Sequence, residues 1–225
     1  MKKNSFNNNI QSEKTDRNFE KKLTNYQDSV ITAEREVYRS DLQPFSTHEQ
    51  EIRQKIGGAF HFFQKSFAKG YLTLIEESKH EMEISGSKGN LLVLAEVNPD
   101  KLHLFEDPEG LLKAIEEGNS IYELLGFTEK SLNTFYHTVR TLIENKKFEK
   151  AREICYFLVT IAPGVYQFWI SLGHCDVNLH SFDSAFYEFS RAMEINPTDP
   201  SVYAKIIDLF VELHEFDKAF HFCET

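Results

Sequence analysis

The stretch "FWISLGHCDVNLHSFDSAFYEFSRAMEINP", residues 168–197, sets Gly173 beside Leu172, places Ala185 three residues past Phe182, and closes on Pro197. Its landmarks recur 34 residues away. Phe148, Phe182 and Phe216 keep that spacing, as do Ala151, Ala185 and Ala219, and Pro163 and Pro197. The tetrads "FEKA", "FDSA" and "FDKA" are one pattern written three times. A fixed period of this length marks an array of helical repeats.

The middle copy resembles a tetratricopeptide repeat. Trp169, Leu172, Gly173, Ala185, Phe189, Ala192 and Pro197 fall at the family's positions 4, 7, 8, 20, 24, 27 and 32. Gly173 and Ala185 are small where the two helices of a repeat cross closely, and Ala192 lets the next repeat approach. Trp169, Leu172, Phe182 and Phe189 are expected to fill the space between the helices. Pro197 ends the second helix because it lacks an N–H and clashes with the preceding turn. Asp199 and Pro200 then start the following helix. There are departures. Asp176 stands where an aromatic is usual, at position 11, and the first repeat has Phe135 for the Trp and Val139 for the Gly.

The chain is therefore expected to be mainly α, with three helix-turn-helix repeats at about 132–165, 166–199 and 200–225, within a domain at 107–225. A helical or small α+β region should precede it. Residues 1–44 are polar and read as flexible, with at most a short helix near 25–38. In the segment 45–106, a Ser46-x-x-Glu49 capping box precedes Ile52, Ile56, Phe60, Phe63, Phe67, Tyr71 and Leu74. That spacing predicts an amphipathic helix reaching roughly to Glu77. Gly57, Gly58 and Gly70 oppose it by about 1 kcal/mol each. The runs "LLVLAEV" and "KLHLF", bounded by "SGSKGN" and "NPD", read as short strands of a hairpin. Asp107 and Pro108 signal the next helix start. No capping helix follows the third repeat. Leu209, Phe210, Phe220 and Phe222 are therefore expected to be partly uncovered, and to be met by a second copy in a homodimer or by the N-terminal half.

Of the 225 residues, 41% are hydrophobic, enough for a sizeable core. The net charge is −10, which excludes the basic footprint of a nucleic-acid binder. Three cysteines without framework spacing point to a reducing compartment. No apolar run approaches the ~18 residues of a membrane span, and "MKKNSFNNNIQSEK" has no apolar stretch to serve as a secretory signal.

Candidate chemistry is sparse. His174 and Cys175 are adjacent, so on a helix they point about 100° apart, and no second pair stands at ligand spacing. Cys155 and Cys223 share position 24 and read as core residues. Gly86, Lys88 and Gly89 lack phosphate-loop spacing. Glu76–Glu77, Glu106–Asp107 and Glu116–Glu117 read as solvated faces or caps. No catalytic set, cofactor site or metal site is expected.

A narrower resemblance runs from about Leu111 to Phe220. It carries an "AI-x-x-G" helix (Ala114, Ile115, Gly118), a linker and three repeats, the second opening on "FWISLGHC". This order is similar to the class II chaperones of bacterial type III secretion. The resemblance implies a non-enzymatic protein of the bacterial cytoplasm that holds a hydrophobic, translocator-like secreted client. A structural or regulatory scaffold subunit of the secretion apparatus is the alternative. In tetratricopeptide arrays, positions 2, 5, 9 and 12 line the concave face. Here these are Asn133, Tyr136, Arg140 and Ile143, then Gln167, Ile170, His174 and Val177, then Ser201, Ala204, Asp208 and Val211. Arrays that clamp a C-terminal carboxylate use Lys and Asn at positions 5 and 9, which these pairs do not supply. The apolar members suit an extended hydrophobic peptide instead.

Overall fold

A computed structural model describes residues 3–39, 43–86, 110, 113, 114 and 117–223 of the chain. Among these residues the regular structure is entirely helical: α1 (Lys3–Val37), α2 (Phe45–Ser85), α3 (Ile121–Leu124), α4 (Glu129–Glu144), α5 (Phe148–Ile161), α6 (Tyr166–Asn178), α7 (Phe182–Ile195), α8 (Pro200–Glu212) and α9 (Phe216–Cys223). The expected strands at 91–97 and 101–105, and the helix start at Asp107–Pro108, lie outside the described residues. The chain divides into two compact units, 1–64 with 98–119 and 65–97 with 120–225, so the division falls within α2.

In the first unit α1 and the opening half of α2 form an antiparallel hairpin. Tyr26 meets Phe60 edge-on at 6.1 Å, Gln27 donates to the Arg53 carbonyl at 2.9 Å, and Tyr38 stacks on His48 at 4.6 Å. The Tyr38 hydroxyl donates to the Gln43 carbonyl at 2.8 Å and ties the turn. Residues 1–44 were expected to be largely unstructured. They instead carry a 35-residue helix, on which Leu23 and Ile31 are buried and Tyr26 and Gln27 meet α2. The Ser46 capping box does not form. Phe45 packs edge-on against Tyr38 and lies under Arg35, and the helix begins at Phe45, two residues before the start that a Ser46 cap would set. Glu49 pairs with Arg53 and Arg35 instead of capping.

In the second unit the later half of α2 lies on α5. Phe67 and Tyr71 approach the Phe157 ring at 5.2 and 5.9 Å. Thr73 donates to Glu153 at 2.6 Å, Lys69 pairs with Glu153 at 2.8 Å, and Lys150 pairs with Glu77. Leu74 and Ser78 are buried in this contact, which carries α2 past Glu77 to Ser85. Gly70, counted above as a helix breaker, is where the backbones touch. A Cβ there would fall 2.3 Å from the Glu153 carbonyl oxygen.

The three repeats are α4–α5, α6–α7 and α8–α9. Within each, the chain reverses through a left-handed residue at repeat position 15: Lys146, His180 and His214, with φ of 57°, 57° and 59°. The next N–H, of Lys147, Ser181 or Glu215, donates to the carbonyl of Leu142, Asp176 or Phe210 at 2.9, 2.8 and 2.8 Å. This is the helix-ending bond of a Schellman turn, made three times with residues other than glycine. Gly173 is required by contact, since a Cβ there would lie 2.5 Å from the Phe189 ring. Ala151, Ala185 and Ala192 are fully buried, with Leu172 and Phe189 packed among them.

Trp169 departs from its expected place as filler. It is half-buried, its indole N–H donates to the Pro163 carbonyl at 2.8 Å, and Phe168 takes the interior position. A buried indole needs a hydrogen-bond partner, and the preceding turn supplies one. Tyr203, 34 residues on, repeats the arrangement on Pro197 at 3.0 Å. At the last repeat Leu209 and Phe210 are buried rather than uncovered, because α9 closes over them with Ala219 and Phe222. Phe220 is 65% exposed, as expected.

Candidate peptide-binding surface

The first helices of the repeats are neighbours: α6 touches α4 on one side and α8 on the other. Residues placed by register at positions 2, 5, 9 and 12 therefore share one run of surface. The structure sorts them into two groups. Asn133, Arg140, Gln167, Ser201, Ala204, Asp208 and Val211 are exposed, while Tyr136, Ile143, Ile170, His174 and Val177 are half-buried.

The half-buried members are held in different ways. The Tyr136 hydroxyl shares a hydrogen bond with Ser171 at 3.0 Å, and its ring lies 5.3 Å from Phe168. Tyr136 thus spans the first and second repeats. Val177 packs on the core shared by the second and third repeats. The His174 ring meets Phe148 edge-on at 6.1 Å. Burial, reinforced by the Lys205 charge, lowers the His174 pKa below its usual value, so the imidazole is neutral at pH 7. The result is a surface of partly buried apolar and aromatic groups flanked by amides and opposite charges. Its chemistry is apolar contact and hydrogen bonding.

Cys155 and Cys175 are buried, whereas Cys223 is exposed despite sharing repeat position 24 with Cys155. α9 packs on α8, and that one-sided contact leaves Cys223 facing solvent. Among the described residues, no three His, Cys, Asp or Glu side chains converge as a metal site. No helix among them is long and apolar enough to cross a membrane.

Two clefts were not anticipated from the sequence. One, of about 500 Å³, lies between α7, α8 and α9 and is lined by Phe182, Phe186, Phe210, Leu213 and Phe222. The other, of about 350 Å³, lies between the end of α2 and α4 and is lined by His80, Ile84, His137 and Leu142. The first is formed by residues that repeat periodicity assigns to helices without saying which neighbours leave a gap, and the second takes His80 and Ile84 from beyond Glu77, where the expected helix stopped. Spacing within one segment carries no signal for either.

No protein-family model matches the chain, and no curated protein matches it. Among solved structures it is similar to the Yersinia enterocolitica type III secretion translocator chaperone SycD, with a TM-score of 0.45 and 18% identity over 47% of this chain and 78% of that one. It is also similar to a T3SS complex from Aeromonas hydrophila, at 0.46 and 18% over 50% and 77%. A third likeness is to a CopN–Scc3 complex, at 0.44 and 19% over 59% and 82%.

Proposed function

We propose that the chain is a non-enzymatic chaperone of the type III secretion kind, which holds an extended hydrophobic segment of a translocator-like secreted protein along α4, α6 and α8. The observation that carries this reading is the half-buried apolar row Tyr136, Ile143 and Ile170 on adjoining first helices, set among exposed Asn133, Arg140 and Gln167. The order of motifs between Leu111 and Phe220 supports the same class. The mechanism is burial: client side chains leave water for this row, and the polar flank hydrogen-bonds the client backbone. The net charge of −10 helps keep the complex dispersed in the cytoplasm.

The test is affinity purification from the cell of origin to identify the client, followed by Ile170→Asp. A carboxylate at that point would be desolvated and unpaired once the client docks, at a cost of several kcal/mol. Each 1.4 kcal/mol is about tenfold in affinity, so client binding should fall by orders of magnitude with an unchanged helical melt. Lys147→Glu, at the exposed turn between α4 and α5, should leave binding intact. If Ile170→Asp folds and still holds the client, the row is not the site. Stable co-purification with apparatus components instead of a hydrophobic client would favour the scaffold reading.

A further inference from the structure

The same three repeat positions are filled in two opposite ways. Counted from Leu132, Tyr166 and Pro200, position 21 of one repeat meets positions 11 and 23 of the next. Between the second and third repeats these are Phe186, Phe210 and Phe222, with successive ring centroids 5.4 and 5.7 Å apart. Between the first and second they are Arg152, Asp176 and Glu188. Arg152 Nε lies 2.8 Å from Asp176 Oδ1, and the Glu188 and Asp176 carboxyls face each other. Asp176 is fully buried and Glu188 is 2% exposed. Asp176 Oδ1 and Oδ2, Glu188 Oε2 and Arg152 Nε are all buried without an aligned hydrogen-bond partner.

Three helices thus bring two buried acids against one cation, whose side chain stays 33% exposed. Two carboxylates beside a single guanidinium cannot both ionise there without leaving a buried charge unbalanced. Among the described residues no second cation acts on the pair: Cys155 and Tyr156 face it from α5, and Cys175 from α6. Burial keeps the Cys155 thiol and the Tyr156 hydroxyl protonated. Burial raises the Asp176 carboxyl as well, while the hydrogen bond with Glu188 and the Arg152 charge act the other way on it, so the balanced state is Asp176 ionised against Arg152, with Glu188 neutral. Burial first, and then the Asp176 charge, push the Glu188 carboxyl up to about 10.

We propose that the junction between the first and second repeats is a proton-dependent joint: it is locked while Glu188 is protonated inside the Arg152–Asp176–Glu188 triad, and opening it exposes Glu188, which releases its proton to water. The sign follows from linkage. A carboxyl whose pKa is raised in the closed state favours closure at low pH and loses that advantage as pH rises toward the raised value. One proton leaves per opening event, so between the ordinary glutamate range and the raised one the opening constant climbs about tenfold per pH unit.

Cys155 and Cys175 report on the joint because they are buried beside it, while the exposed Cys223 is an internal reference. The experiment is site-resolved alkylation of the full chain with iodoacetamide from pH 7 to 9, read by peptide mass spectrometry, for the native protein and for Glu188→Gln. The ratio of native to variant rates cancels the ordinary rise in thiolate. It should climb for Cys155 and Cys175 by about tenfold per pH unit and stay flat for Cys223. A flat ratio at all three cysteines overturns the proposal. A second variant, Arg152→Phe/Asp176→Phe/Glu188→Phe, copies the next junction and should behave as Glu188→Gln does. If neither variant folds, amide exchange of the native protein decides. After correction for base catalysis, α6 and α7 should lose protection with pH more steeply than α8, and parallel loss overturns the joint.

Discussion

Gly70 and Gly58 lie in one helix, and alanine should act in opposite directions at the two positions. In a helix interior, replacing glycine with alanine restricts the unfolded chain and stabilises by about 0.5–1 kcal/mol. At Gly58 nothing stands within 4 Å of the added Cβ, so that gain is expected in full. At Gly70 the Cβ would lie 2.3 Å from the Glu153 carbonyl oxygen and 2.6 Å from Phe157 Cβ. Non-bonded carbon atoms settle at about 3.5–4.0 Å, so α2 and α5 must part by about 1 Å. The obstacle is backbone and cannot rotate away. A radial gap of that size forfeits a quarter to a half of the attraction of each contact it opens. Here it opens those of Phe67 and Tyr71 with Phe157, and it stretches the 2.6 Å bond from Thr73 to Glu153. Overpacking typically costs about 1–3 kcal/mol. Net of the helical gain, Gly70→Ala should destabilise by about 1–2 kcal/mol. Urea unfolding followed by far-ultraviolet circular dichroism, with Trp169 fluorescence for the repeat unit, measures both variants. If Gly70→Ala stabilises as Gly58→Ala does, α2 does not lie against α5 and this account of the first repeat's outer face is wrong.

Two further outcomes are expected. Ala185→Leu should lose about 1–3 kcal/mol by overpacking the α6–α7 crossing, whereas Ala204→Leu, on the exposed face of α8, should stay within about 0.5 kcal/mol; equal thermal midpoints would remove Ala185 from the crossing. His180→Gly should stabilise by about 0.5–1 kcal/mol, because φ of 57° strains a side-chain-bearing residue and suits glycine; a lower midpoint would mean that the His180–Phe182 ring contact at 5.7 Å outweighs the strain.

The repeats were legible because their constraints are steric and local. Gly173, Ala185 and Pro197 each answer to a contact or a chain end that recurs at one spacing, so a single sequence displays the rule three times. The turns were less legible. Lys146, His180 and His214 occupy a left-handed position without the glycine that usually announces it. The N-terminal hairpin was not legible, because what orders α1 is contact between residues far apart in the chain, as Tyr26 with Phe60 and Gln27 with Arg53. Gly70 was misjudged for a related reason: helix propensity counts its backbone freedom, while its value lies in a partner helix that propensity does not see. On the candidate surface, register placed every residue on a first helix. It could not separate Tyr136 and Val177, which also pack between repeats, from Ile170, because that depends on how closely successive helices approach. Asp176 was visible as an oddity at position 11, but Arg152 and Glu188 became meaningful only when three helices brought them together.

The alternation of ionic and aromatic junctions also bears on how three similar repeats keep their order. In an array built from near-identical units, docking out of register by one repeat preserves most of the small-residue crossings, since Ala151, Ala185 and Ala219 are interchangeable in size. It does not preserve positions 11, 21 and 23. Docking the third repeat directly onto the first would set Arg152 against Phe210 and Phe222 instead of Asp176 and Glu188. It would separate Arg152 from its buried carboxylate partner, and breaking a buried pair in this way costs about 3–5 kcal/mol. The packed cores alone would tolerate such exchanges, because apolar surfaces of similar volume substitute for one another at small cost. The ionic triad adds little net stability, given the desolvation it requires, yet it makes the first junction unlike the second. The polar triad therefore acts on which repeats meet more than on how tightly they hold, and the same buried carboxyl that fixes the register leaves that junction sensitive to protons.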